Sequence, residues 1–153
     1  MTVRRSDLGP PPGLGVGGRR VDRRAEIGAA NGHGNARSVV RCQSAVVNGG
    51  THDGVQLLSP ATIERIFEEQ SSGVDLVLGI PLRFGIGYGL PEPQSLPYVP
   101  DGRICFWGGW GGSVVINDVG RHMCFTYMMN QMAPGIIGGP TAEVLLTALY
   151  AAL

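Results

Sequence analysis

Lysine is absent from this sequence of 153 residues, and all 12 of its basic residues are arginines. Within this sequence the absence excludes a Schiff-base lysine, a phosphate-loop lysine and a Ser-x-x-Lys acyl-transfer pair. Charged residues make up only 16% and the formal net charge is zero, whereas 43% of residues are apolar. We therefore expect one hydrophobic core and exclude a wholly disordered or fibrous chain.

Cysteine is also scarce, because Cys42, Cys105 and Cys124 are the only three and no CxxC pair occurs. An odd count without such spacing argues against a disulfide framework and suits a reducing compartment. No run of eighteen apolar residues is present, so no transmembrane helix is expected. The N-terminus is rich in glycine and proline rather than apolar, so we expect no signal peptide and a cytoplasmic location.

The first 24 residues differ in composition from the remainder. They contain six arginines and two aspartates, a net charge of +4, whereas residues 25–153 contain six arginines and ten acidic residues, a net of −4. The segment also contains five glycines and a run of three prolines. Such a composition predicts a disordered leader over residues 1–24 and a domain over residues 25–153.

The leader contains two weaker patterns, and we expect neither of them to form a binding site. Residues 13–18 fit the pattern G-x-G-x-x-G, but three prolines precede them where a strand is needed, so no dinucleotide site and no cofactor are expected. Six arginines without aromatic residues favour a solvated tail over a nucleic-acid-binding arm. We therefore expect neither a nucleic acid nor a membrane as partner.

Apolar spacing predicts an α+β domain in the order helix, helix, strands, helix. The first helix begins near Ala36 and stops at residues 48–50, a turn follows at residues 53–54, and Ser59 and Pro60 open a second helix that ends near Gln70. Residues 71–83 are expected to be a loop or short irregular structure. The last helix has an apolar stripe formed by Ala142, Leu145, Leu146, Leu149 and Leu153.

The middle of this order predicts an antiparallel sheet of three to four strands with flanking helices. The expected strands are residues 84–90, 103–107, 113–117 and 122–130, with a hairpin at residues 118–121. Both alternating sets of side chains in the last strand are largely apolar. This pattern predicts a central strand that is covered on both faces.

Residues 107–113 read WGGWGGS and form the densest feature of the sequence. Glycine in a strand marks a bulge or the close approach of a ligand or another backbone segment. One interpretation is a tight crossing between strands in which the tryptophans cap the core. The other is a substrate-binding strand, and the residues alone leave both open.

Three segments in the same order resemble the C-terminal portion of the serine β-lactamase and penicillin-binding-protein superfamily. Residues 31–60 are similar to its Gly-x-Ser/Thr-Ala helix and the following Leu-Leu-Ser-Pro helix start. Residues 85–90, GIGYGL, resemble its GlyTyrGlyTrp strand. Residues 107–130 resemble its Lys-Thr-Gly strand, the partner strand and a strand ending in Asn130. The resemblance is greatest to the class C-like branch that includes β-lactamase-related carboxylesterases.

The resemblance implies roles for the Gly/Trp strand in acyl transfer. The backbone N–H of Trp110 would donate to the oxyanion, and Gly108 and Gly109 would let substrate lie against the strand. Trp107 replaces the lysine or histidine of many members, and a neutral indole cannot pair with a substrate carboxylate. The implied substrates are therefore uncharged esters, and Asn130 would lie at the rim of the site.

The chemical half of the family's site is missing from this sequence. Neither Ser-x-x-Lys nor Tyr-x-Asn occurs, so no catalytic residue is identifiable. The leading hypothesis is a truncated serine hydrolase domain that is inactive alone and needs the missing N-terminal portion to act on a small ester or amide. The alternative is a non-catalytic binding module that uses the Gly/Trp strand, with a homo-oligomer or another partner covering its open sheet edge.

Three other candidate sites are disfavoured. His122, Cys124 and Cys105 are too few and too apolar in setting to predict a metal site, so no metal is expected. His33 lies in a glycine-rich loop without an identifiable nucleophile. Ser113 lacks the Gly-x-Ser-x-Gly elbow that would make it a nucleophile.

Overall fold

The structure is a computed structural model and describes residues 32–153, so the predicted leader lies outside the described residues. Its elements follow in chain order: α1 (Ala36–Val47), β1 (Thr51–His52), β2 (Val55–Gln56), α2 (Pro60–Ile66), β3 (Ser71–Val74), β4 (Pro81–Phe84), β5 (Gly89–Leu90), β6 (Ile104–Gly108), β7 (Val114–Asp118), β8 (Met123–Tyr127) and α3 (Pro140–Ala151). The predicted α+β architecture, with helices flanking an antiparallel sheet, is confirmed. None of the helices within residues 32–153 is long and apolar enough to cross a bilayer.

Helix α1 begins and ends where the sequence predicts. Asn35 and Ser38 form a capping box in which the Ser38 N–H donates to Asn35 Oδ1 at 2.9 Å and the Asn35 N–H to Ser38 Oγ at 3.1 Å. After Val47 the chain turns back through Gly50, at φ +91°. A Cβ on Gly50 would lie 1.9 Å from the Leu58 carbonyl oxygen, so only glycine fits at this close approach.

Helix α2 opens as predicted but stops four residues early. Ser59 accepts from the Thr62 N–H at 3.0 Å and Pro60 occupies the first turn. The predicted end near Gln70 is wrong, because the Gln70 N–H already donates to the Phe84 carbonyl at 2.7 Å. The chain has by then left the helix to join the sheet.

The main sheet has six strands in the order β3-β4-β5-β6-β7-β8, all antiparallel, so the predicted number of three to four is wrong. The expected loop at residues 71–83 contains β3 and most of β4. Strand β3 reads SSGV and is exposed along its length, so it lacks the apolar alternation that identifies a strand. The expected strand at residues 84–90 is divided by a turn in which the Gly85 N–H donates to the Tyr88 carbonyl at 2.9 Å.

Strand β8 lies at the edge of the sheet, and its predicted central position is wrong. The predicted double coverage is confirmed, because all five residues are half-buried. Helix α1 packs on β8, while Phe125 and Tyr127 pack against the core cluster under α3. Helices on both faces therefore produce the apolar pattern that we interpreted as a central strand.

Two core clusters lie on opposite faces of the sheet. One contains Phe106, Ile116 and Leu146 with the rest of the α3 face, and the other joins Val46 of α1 to Cys105. Alternate residues of β6 thus enter opposite clusters, as strand geometry requires. In the predicted α3 stripe Ala142 and Leu146 are buried, whereas Leu145 and Leu153 are exposed.

Candidate active site

The Gly/Trp segment begins at the end of β6 and crosses to β7. Gly108 is the last residue of β6, and the Gly109 N–H donates to the Ser113 carbonyl at 2.8 Å. The Gly112 N–H donates to the Gly109 carbonyl at 3.1 Å, and Gly111 and Gly112 have φ of +94° and +116°. The segment is therefore a tight crossing, and its two positive φ values explain the second glycine pair.

Gly108 and Gly109 have different surroundings. A Cβ on Gly108 would lie 2.8 Å from the Gly138 nitrogen and 2.9 Å from Ile137 Cα, so the chain's own backbone fills this approach. A Cβ on Gly109 would have no neighbour nearer than Ser113 Cβ at 3.8 Å. Of the two glycines that we expected to admit substrate, only Gly109 thus leaves its Cβ side open.

Trp110 lies within the crossing and has an unused backbone donor. Its neighbours Gly109 and Gly111 both donate their N–H groups, the latter to the Gly135 carbonyl at 3.2 Å. The Trp110 N–H donates to no other group within residues 32–153. The indole is 40% exposed, so this residue caps the core only partly.

Trp107 is held by two phenyl rings. The centroid of its indole lies 5.7 Å from that of Phe84 at an interplanar angle of 44°, and 6.5 Å from that of Phe106 at 22°. Both arrangements are in the range of favourable aromatic pairs. The indole nevertheless remains 40% exposed, so it presents apolar surface to solvent at the end of β6.

Ser113 ties the end of β8 to the crossing. Its Oγ accepts from the Met129 N–H at 3.2 Å. Asn130, the next residue, is exposed beside this contact. The structure therefore places the predicted rim residue near the crossing, and it gives Ser113 a structural hydrogen bond rather than a catalytic base.

The residues considered for a metal site do not converge. Cys105 and Cys124 lie on either side of Asn117 in the register of β6, β7 and β8, with Cys105 fully buried. His122 precedes β8 and its Nδ1 lies 3.0 Å from the Val47 carbonyl. Within the described part of the chain, no three His, Cys, Asp or Glu side chains are grouped as metal ligands.

A partly buried polar network joins the three segments that carry the family resemblance. The Tyr88 hydroxyl donates to Gln43 Oε1 at 2.8 Å, and Asn117 Nδ2 donates to the same oxygen at 2.9 Å. Burial is the main cause that raises the pKa of Tyr88, so its hydroxyl stays protonated as a donor. Gln43 of α1 thereby connects the Gly-Tyr-Gly turn to β7, a contact that local sequence patterns do not reveal.

A Ser-His-Asp arrangement was missed by the sequence analysis. Ser44 Oγ lies 2.7 Å from His52 Nδ1, and His52 Nε2 lies 3.2 Å from Asp53 Oδ2, which also pairs with Arg41 at 3.0 Å. Ser44 Oγ donates to the Arg41 carbonyl within α1 at 2.9 Å. This geometry fastens the β1–β2 hairpin to the helix, and the helix interior offers no oxyanion donor beside Ser44.

Comparison with known proteins finds a consistent set of relatives. The family model described as Beta-lactamase matches residues 2–147. The Esterase/beta-lactamase LipL of Mycobacterium tuberculosis (strain ATCC 25618 / H37Rv) is 31% identical over 115 residues, which cover 74% of this chain and 25% of that protein. The chain therefore spans about a quarter of the length of this curated relative.

Two solved structures share the fold. A penicillin-binding protein homologue from Caulobacter crescentus is 37% identical with a TM-score of 0.81, and the match covers 90% of this chain and 37% of that one. A family VIII carboxylesterase is 34% identical with a TM-score of 0.79, over 88% of this chain and 36% of that one. In both cases the matched region is little more than a third of the larger protein.

Proposed function

The chain belongs to the beta-lactamase family, and we propose that it provides the substrate-facing strand of an acyl-transfer hydrolase whose nucleophile lies outside this sequence. In this proposal the Trp110 N–H donates to the carbonyl oxygen of an ester or amide substrate. A serine from the complementary portion attacks the carbonyl carbon, the leaving group departs with a proton, and water then releases the acid and restores the serine.

The observation that carries the proposal is the unused Trp110 N–H in the crossing that follows β6. The hydrogen bonds made by Gly109 and Gly112 fix the crossing around this donor, so it is preorganised rather than mobile. A preorganised donor of this kind typically contributes about 2.7–4 kcal/mol to transition-state stabilisation. Gly109 leaves the adjacent space open for the substrate.

Under this proposal the chain alone does not hydrolyse esters, because its sequence contains no lysine and hence no Ser-x-x-Lys pair. The purified chain is incubated with a fluorophosphonate serine probe and a p-nitrophenyl ester, and the intact mass is recorded. We expect folded protein without adduct or turnover. A stoichiometric adduct with turnover would show a nucleophile within this sequence and contradict the proposal.

The oxyanion role is tested by complementation with the portion of the family VIII carboxylesterase that this chain does not match. Trp110→Pro removes the backbone N–H, whereas Trp110→Phe keeps it and serves as the control. We expect ester hydrolysis by the complex, a loss in kcat of about 10²–10³ for Trp110→Pro and less than about tenfold for Trp110→Phe. An equal loss of kcat in the two variants would show that the Trp110 N–H does not act as an oxyanion donor.

A second candidate function, a non-catalytic binding module, is favoured by the apolar turn after β3. Leu76 and Val77 are 99% and 91% exposed, and Val74 is also exposed. Asp75 Oδ1 accepts from the N–H groups of Val77 and Leu78 at 2.9 and 2.7 Å, so the turn presents these side chains in a defined shape. A partner or a second copy that covers β3 would bury them.

Sedimentation of the chain tests this second function. We expect a dimer or larger species whose dissociation constant rises when Leu76→Glu is introduced, with Val144→Glu on the exposed face of α3 as control. A wild-type chain that stays monomeric, or equal effects of the two substitutions, would rule out this apolar turn as a self-association surface.

A further inference from the structure

We propose that Phe84 and Trp107 form an apolar subsite for the uncharged aryl or alkyl group of the substrate, with Phe84 as a specificity-determining residue. This inference rests on the proposed function of the strand that ends in Trp107. It adds a residue that lies outside the Gly/Trp segment, on β4, and that no sequence pattern indicated. It also assigns a chemical class to the group that the site holds.

The geometry holds the indole in place before a substrate binds. Phe84 lies opposite Gly89 of β5, and Gly89 lies opposite Phe106 of β6. A Cβ on Gly89 would lie 2.8 Å from the Phe106 ring, so a glycine here makes room for that ring. The Phe84 and Phe106 rings then lie beside the Trp107 indole, with centroid separations of 5.7 and 6.5 Å, and the indole stays 40% exposed next to the half-buried Phe84. A rigid aromatic surface loses little entropy when a ligand packs on it.

The two arginines that adjoin β4 residue Phe84 and the start of β6 already form ion pairs. Arg83, next to Phe84, donates from Nε to Glu69 Oε2 at 2.9 Å and from Nη1 to the Pro91 carbonyl at 3.0 Å, and its Nη2 lies 2.9 Å from the same Glu69 oxygen as an ion pair. Arg103, which precedes β6, pairs with Glu64 at 2.9 Å and lies over the Phe67 ring. Neither arginine is available to a substrate carboxylate without breaking an existing contact.

The arginine of residues 32–153 that forms no ion pair lies away from the Phe84–Trp107 pair. Arg37 is the one arginine of residues 32–153 without an ion pair, and it is in the first turn of α1. That helix packs on β7 and β8, whereas the aromatic pair is on β4 and β6. A carboxylate placed against the Phe84–Trp107 surface would thus lose part of its hydration without gaining an ionic partner, which is unfavourable. The surface therefore selects uncharged apolar groups.

The two tryptophans of the sequence, Trp107 and Trp110, allow a direct test because both lie in the candidate site. The ¹⁵N-labelled chain gives two indole N–H signals, which Trp107→Phe and Trp110→Phe assign. Phenyl butyrate is titrated in parallel with 4-carboxyphenyl butyrate, which differs only by the carboxylate. We expect phenyl butyrate to shift the Trp107 signal with a dissociation constant at least about tenfold lower than that of the charged analogue.

The role of Phe84 is tested with Phe84→Leu, which keeps an apolar side chain but removes the ring. We expect the dissociation constant of phenyl butyrate to rise about three- to tenfold, and that of ethyl butyrate, which has no ring, to change less than twofold. Phe67→Leu, at the end of α2, is the control and should change neither constant. The backbone signals of each variant establish that it is folded.

Three results would overturn the inference: equal binding of the charged and neutral probes, no shift of the Trp107 signal at the solubility limit of phenyl butyrate, or an equal effect of Phe84→Leu on both butyrates. These results are separate from the complementation assay. If the Trp107 signal distinguishes the neutral from the charged probe but the complex does not hydrolyse esters, the subsite stands and the proposed function fails. If the complex hydrolyses esters but the Trp107 signal does not distinguish the probes, the proposed function stands and the subsite fails.

Discussion

Gly108 and Gly109 are neighbours of the same residue type whose side-chain positions meet different surroundings. We expect Gly108→Ala to lower the free energy of unfolding by about 1–3 kcal/mol, because the new Cβ would overlap the backbone of Ile137 and Gly138. Gly109→Ala, with its nearest neighbour at 3.8 Å, should cost less than about 1 kcal/mol. Urea unfolding of both variants measures the difference, and equal losses would contradict this assignment of the close approach.

Cys105 makes stability depend on pH in the alkaline range. Burial raises the pKa of its thiol to about 12, whereas an exposed thiol titrates near about 8.5. Between these values the folded chain retains a proton that the unfolded chain loses. Stability is therefore full below about pH 8.5 and falls as pH rises, by up to about 1.4 kcal/mol per pH unit.

This dependence is measured by urea unfolding at pH 8 and pH 10 in the wild type and in Cys105→Val. We expect the variant to lose less stability over this interval than the wild type. Cys42→Ala removes an exposed thiol on α1 and should leave the wild-type difference unchanged. Parallel pH curves for the wild type and Cys105→Val would show that the buried thiol does not contribute.

Helix ends that are marked by capping residues or glycines nearby in the sequence were predicted well. The bounds of α1 and the start of α2 follow from caps and glycines that lie within a few residues of each helix end. Strand β3 carries no such signal, since it is polar, exposed and held by its pairing with β4. The end of α2 was also not predicted, because the Ile66 carbonyl at the helix end accepts from the Ile86 N–H and the Gln70 N–H donates to the Phe84 carbonyl, and neither partner is local in sequence.

The capping box of α1 leads to a prediction at this scale. Asn35→Ala removes the Oδ1 that accepts from the Ser38 N–H, so we expect the free energy of unfolding to fall by about 1 kcal/mol. Asn48→Ala, at the other end of the same helix, is the matched control and should change it by less than about 0.5 kcal/mol. Thermal unfolding of both variants checks the difference, and an equal change would mean that the box does not stabilise α1.

For the whole molecule, the sequence predicted the family and the position of the Gly/Trp crossing but not the surroundings of the crossing. Residues 107–113 are contiguous, so their glycines and tryptophans could be interpreted together. The contact between Phe84 and Trp107, and that between Gln43 and Tyr88, join elements far apart in the chain. Such contacts depend on the order of strands in the sheet, and β3 and most of β4, two of its six strands, fell in the predicted loop.

The domain boundary gives a prediction for the whole chain. Composition places the start of the domain near residue 25, because residues 1–24 have too few apolar side chains to contribute to a core. The family match, in contrast, begins at residue 2. We expect deletion of residues 1–24 to change the free energy of unfolding by less than about 0.5 kcal/mol, the range of surface changes that remove no packing.

Urea unfolding of the full chain and of the deleted chain measures this difference. A matched control replaces the six arginines of residues 1–24 with glutamines, which removes the charge of the segment but keeps its length. A loss of several kcal/mol in the deleted chain alone would place part of the core before residue 25, in agreement with the extent of the family match. A loss in both variants would instead indicate that the basic segment stabilises the acidic remainder of the chain through charge.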